Sequence, residues 1–153
     1  MEQMTSIPYK WSDSWLLLSV VLAGSSEGAT IDGLLSIGDG VNHAIFTFPE
    51  IDGGLARLLA GEFVRIDGER VFPTSKAIEI YKSASKDGEG SMPRMEDIGR
   101  KLGAPSWSPT ENPNKADPSW SLARFATDEL KGVHTRFKRE FATAISRLER
   151  QGR

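Results

Sequence analysis

Any chemistry in this chain has to come from charge, because the usual reactive groups are missing or isolated. None of the 153 residues is a cysteine, which removes thiolate nucleophiles, thiolate metal ligands and disulfides. His43 and His134 lie far apart, and neither has a partner at a metal-ligand spacing. Both therefore read as surface or half-buried side chains, and no metal is expected. Asp39 stands four residues before His43, a helical spacing, but no nucleophile lies nearby and a local hydrogen bond accounts for it. Gly38-Asp39-Gly40 and Gly53-Gly54 lack the pattern and the lysine of a phosphate loop. No pair of carboxylates is set apart by its spacing, so neither catalysis nor a cofactor is expected. Trp11, Trp15, Trp107 and Trp120 could line a ligand cavity, though core packing is the ordinary use of indoles.

Positive charge is distributed unevenly. Residues 1–90 carry 7 Lys/Arg against 13 Asp/Glu, and residues 91–153 carry 12 against 8, which together give the formal charge of -2. That total excludes a strongly basic nucleic-acid binder and leaves room for a local patch. Lys131, Arg136, Lys138, Arg139, Arg147 and Arg150 are concentrated near the end of the chain. Such a run is ordinarily a solvated helix face. The sharper alternative is contact with DNA phosphate or with the acidic half of a partner chain.

The elements that must position these groups are legible around Thr47–Ser83. Thr47 and Glu50 form a capping box, with Pro49 in the first helical turn. Ile51, Leu55, Leu58 and Leu59 then mark one apolar face, and Gly61 is expected to end the helix in a left-handed conformation. Phe63–Ile66 and Arg70–Phe72 flank Asp67-Gly68-Glu69, a hairpin signal. Thr74 caps a further helix from Ser75 to about Lys86.

Before this stretch, residues 1–10 read as a loose arm. Ser12 or Asp13 caps a first helix, apolar almost all round, that runs to about Ala23. Its core, Trp15–Ala23, is too short to span a bilayer and lacks a positive leader, so a cytoplasmic protein is expected. Thr30 opens a second helix, which Gly38-Asp39-Gly40 should break or kink. The connector Val41–Phe46 is compatible with either a helical turn or an extended piece. Beyond the hairpin, 86–90 reads as an exit and Ser91 begins a helix stopped by Gly103. Residues 104–119 form a long proline-containing loop that either packs through Trp107 or serves a partner. Asp117-Pro118 should cap the last segment, where Leu130, Val133, Phe137, Phe141, Ile145 and Leu148 form an amphipathic stripe to about Arg150. That stripe should bury itself between two subunits or against the preceding domain.

The order helix, helix, helix, hairpin, helix resembles winged helix-turn-helix proteins of the MarR and PadR type. The closest echo is Arg57–Arg65, RLLAGEFVR, followed by Phe72-Pro73-Thr74. Phe72-Pro73-Thr74 stands where those relatives commonly have Leu-Thr, and Ala77 where they often have Gly. The resemblance covers about half of the chain. The run Gly38–Thr47 also resembles one in small bacterial proteins and implies no activity. The expected fold is mainly α with a small β-hairpin wing: a winged domain over 11–86 and a helical extension over 87–153. The resemblance implies a DNA-binding regulator, in many cases a homodimer. Charge placement puts any DNA contact on Arg57, Arg65, Arg70 and the basic side of the last helix. The residues of the third helix suit that poorly. Its outward positions are expected to be Glu50, Asp52, Gly53, Gly54, Ala56 and Arg57, with two carboxylates in the turns that usually read bases. The adjacent glycines suit a close approach by another surface. Two functions therefore stand side by side, a DNA-binding regulator and a protein-interaction module without DNA contact.

Overall fold

The computed structural model describes residues 7–24, 26–84, 92–109, 112–115, 117, 119–124 and 128–150. The expected exit at 86–90, the Ser91 start and Pro118 lie outside them. The protein is mainly helical with one two-stranded antiparallel hairpin: α1 (Trp11–Gly24), α2 (Ile31–Asn42), α3 (Phe48–Ala60), β1 (Val64–Asp67), β2 (Arg70–Pro73), α4 (Ser75–Ser83), α5 (Met92–Leu102) and α6 (Asp128–Arg150), with a 3-10 turn at Leu122–Arg124.

An apolar helix with no free face must sit in the middle, and α1 does. It packs against α2, α3, α4, α5 and β2, with Leu16, Leu17, Leu18 and Val20 inaccessible to solvent. Asp13 is not the residue before the helix. It lies in the first turn and accepts the Lys10 backbone N–H at 2.9 Å, so the helix start is closed from inside. The supposed loose arm is in part ordered: Tyr9 meets Phe63 edge-on at 6.0 Å.

Gly38-Asp39-Gly40 does not interrupt α2, which continues to Asn42 and is closed by His43 at φ 55. Gly38 instead provides a notch. A side chain there would collide with the Phe46 ring, which stacks on Trp15 at 3.6 Å. Trp15 Nε1 in turn donates to the Gly38 carbonyl at 2.9 Å. Residues 44–46 then run without regular structure to Thr47, whose capping box forms as its residue types require.

Gly61 follows α3 at φ -84, and the left-handed residue is Glu62 at φ 65. A Cβ at Gly61 would meet the Tyr9 hydroxyl, so the end of that side chain would have to shift. The hairpin pairs Asp67 with Arg70 and Ile66 with Val71, closing on Gly68 at φ 62, the backbone region that glycine reaches without strain. Val71 also exchanges both backbone hydrogen bonds with Ala29, at 2.7 and 2.9 Å. This bridge ties the hairpin to the segment between α1 and α2. Helix α4 ends at Ser83, short of Lys86, and α5 ends at Leu102 before Gly103 at φ 82.

The last helix folds back over this body. Val133 and Phe137 are buried, Leu130, Phe141 and Ile145 pack on the core, and Leu148 is half-buried. The stripe is thus closed within one chain, against α2, α3 and the 3-10 turn. Asp117 does not cap α6. It accepts the Ser119 N–H at 3.0 Å and closes a turn well before that helix.

Candidate functional site

The face of α3 that would have to meet a ligand is not open. Arg57 is 2% exposed. Its Nε and Nη2 donate to the two carboxylate oxygens of Asp13 at 2.6 and 3.0 Å. The expectation that Arg57 points outward toward DNA is therefore corrected. A lone carboxylate in a central apolar helix needs a cation, and Arg57 is the only one in α3. Gly54 lies against Leu16 and Asp13, Gly53 against Arg57 and the Trp120 carbonyl, and Ala56 is fully buried. The close approach implied by the paired glycines is made by α1 and by the chain's own extension.

Asp52 is likewise covered. Its Oδ1 accepts the Leu122 backbone N–H at 3.1 Å and contacts His134 Nδ1 at 2.9 Å. The Asp52–His134 contact thereby fastens α6 to α3. Phe48 reinforces it, with its ring 5.6 Å from His134 and 5.7 Å from Phe141. At the start of α3 the Thr47 hydroxyl donates to the Pro113 carbonyl at 2.6 Å. The extension thus crosses α3 from its first residue to its centre. Of the positions expected to point outward, Glu50 alone stays half-exposed, while its carboxylate serves the capping box at 2.9 Å.

The other two candidate DNA contacts are on the surface but not together with Arg57. Arg65 is 59% exposed, 4.0 Å from Asp67, and its guanidinium lies 4.2 Å above the Phe72 ring. Arg70 is exposed beside the Gly28 carbonyl at 3.4 Å. The basic side of α6 reaches the same body: Arg136 donates to the Gly68 carbonyl at 2.9 Å, and Arg147 pairs with Asp32 on α2. Contact between the basic helix and the acidic half is realised within one chain. Lys131, Lys138 and Arg139 remain exposed.

No protein-family profile, curated protein or solved structure matches this chain. The site therefore has to be read from its own residues.

Two further features bear on that reading. Beside the wing, Glu140 Oε1 and Arg136 Nε are buried without a hydrogen-bond partner among the described residues. Burial, and then the nearby Glu69 carboxylate, push the Glu140 carboxyl above its ordinary value, against the pull of Arg136 and Arg139. A cleft of about 290 Å³ opens between the start of α1, the α2–α3 connector and residues 107–109, 112–115 and 117, with Trp11, Trp15 and Trp107 in its walls. Trp107 is 59% exposed. It does not close the loop into the core. Trp120 belongs to a different wall, around Asp52 and His134. Among the described residues no group of three or more acidic or histidine side chains is placed to hold a metal ion, and no helix is long and apolar enough to cross a membrane.

The enclosure of Arg57 had a visible signal: Asp13 is the only charged residue of α1. The Asp52–His134 contact and the Ala29 bridge had none, because both join segments that local periodicity treats separately.

Proposed function

We propose that this chain is a winged-helix interaction module that does not read DNA with its third helix. The order of elements supports the winged-helix frame, and so does the bridge from Ala29 to Val71, which adds a short extended segment to the hairpin. The observation that carries the functional reading is the enclosure of α3. Its Asp52, Gly53 and Arg57 positions are occupied by Leu122, His134, Trp120 and Asp13. A recognition helix must place its own side chains against base edges in the major groove, and these side chains are already engaged inside the fold. Its first turns also offer Glu50 and Asp52 and no cation, which phosphate repels.

One surface open to a partner is the wing and the outer face of α6, with Arg65, Arg70, Lys131, Lys138 and Arg139 exposed. These cations suit an acidic protein surface, and such contacts set association rate and partner choice more than raw affinity. The same residues favour one second reading, weak sequence-independent contact with DNA phosphate through the wing and α6.

Fluorescence anisotropy of a labelled random-sequence duplex, titrated with the full chain at low salt, separates the readings. The module reading expects no saturable binding. Binding that weakens with salt by about 0.9 logarithmic units per phosphate contact, and that disappears in Arg65→Glu with Arg70→Glu, would support the second. Tight, salt-resistant, sequence-selective binding would overturn both, because it requires α3 to be read.

A further inference from the structure

We propose that the cleft between α1 and residues 107–109, 112–115 and 117 is a binding site for a small, flat, neutral molecule that carries a hydrogen-bond acceptor, such as an aromatic lactam or amide. The proposal does not depend on whether the chain meets DNA. The volume of about 290 Å³ lies at the small end of ligand pockets. Trp11, Ile45, Pro49, Trp107, Pro109 and Pro113 are part of its lining. These apolar, ring-bearing side chains favour a planar guest.

The acceptor requirement comes from Arg57, which also lines the cleft. Asp13 fixes the guanidinium through Nε and Nη2, while Nη1 bonds to none of the described residues. A guanidinium has donors on all three nitrogens. The side chain is 98% buried as a whole, and Asp13 sets the position of Nη1. An acceptor that reaches Nη1 from the cleft gains a charge-assisted hydrogen bond.

The neutrality requirement comes from the charges around it. Arg57 is matched by Asp13, and the two lysines of the lining, Lys10 and Lys115, are equalled in number by two carboxylates, Glu50 and Asp117. An anionic guest would meet those carboxylates, and a cationic one would meet Arg57. Trp107 supplies the remaining gain, because a flat guest can cover the most exposed aromatic ring of the described residues.

The test uses the full chain and three probes of one shape: isocarbostyril (a neutral bicyclic lactam), naphthalene (no acceptor) and naphthoate (a charged acceptor). Isocarbostyril should shift the tryptophan emission saturably and raise the melting temperature. Naphthalene and naphthoate should bind at least about tenfold more weakly, the worth of one hydrogen bond to a charged donor. Trp107→Ala, which should fold because the ring is mostly exposed, should weaken isocarbostyril by a similar factor at unchanged melting temperature. No saturable response to isocarbostyril up to its solubility limit would overturn the proposal. So would equal affinity for naphthalene, equal affinity for naphthoate, or undiminished binding by the Trp107→Ala variant.

Discussion

Replacing Arg57 by methionine should cost the fold about 3–5 kcal/mol. The substitution keeps much of the side-chain volume and removes the cation, so Asp13 is left charged, inaccessible to solvent and with its Lys10 N–H bond alone. The two hydrogen bonds lost, at 2.6 and 3.0 Å, account for only part of that cost. The larger part is the unpaired charge. The claim can be isolated by adding Asp13→Asn, which keeps an acceptor for Lys10 and removes the charge. The double variant should recover most of the loss and stay about 1–2 kcal/mol below wild type, in line with ordinary buried hydrogen bonds. Urea unfolding followed by tryptophan emission reads both numbers. For a chain of this size the single variant should also melt very roughly 6–20 °C lower. A single variant within 1 kcal/mol of wild type, or a double variant no better than the single, would refute the charge argument. Arg57 would then be free for a surface role.

Two further outcomes are expected. Gly38→Ala should lower stability by about 1–3 kcal/mol, the range for overpacking a filled site, and should weaken the Trp15–Phe46 stack, seen as a change in near-ultraviolet circular dichroism. Glu140→Gln should stabilise the protein at neutral pH. The native state raises this carboxyl above its ordinary 4.5, so it holds its proton to higher pH than the unfolded chain does, and wild-type stability falls as pH rises through that interval. Melting curves of wild type and variant should therefore converge at pH values below the ordinary carboxyl range and separate above it.

The helices and the hairpin were legible because each is a local affair: a capping box, a 3.6-residue period, a glycine at a two-residue turn. By the local habits of their residue types, Gly38, Gly61 and Arg57 are a helix breaker, a left-handed cap and a surface cation. In the structure all three answer to a distant side chain: Phe46, Tyr9 and Asp13. The stripe of α6 was readable as buried, while its destination was not, since an apolar face does not encode which surface covers it. The cleft belongs to the same class, because it exists only where residues 107–109 and 112–115 meet α1 and the start of α3.

Thr47 gives this dependence a thermodynamic form. Its hydroxyl accepts the Glu50 N–H that starts α3, and its proton goes to the Pro113 carbonyl. One side chain therefore serves both as the first turn's cap and as the anchor of a segment 66 residues away. Fraying of that turn and release of the segment cannot be independent events. In amide exchange the first N–H groups of α3 should open together with those near residue 113, as one cooperative unit, and not with the rest of α3. Thr47→Ser should preserve that shared opening, and Thr47→Val should uncouple it by removing the donor and the acceptor together.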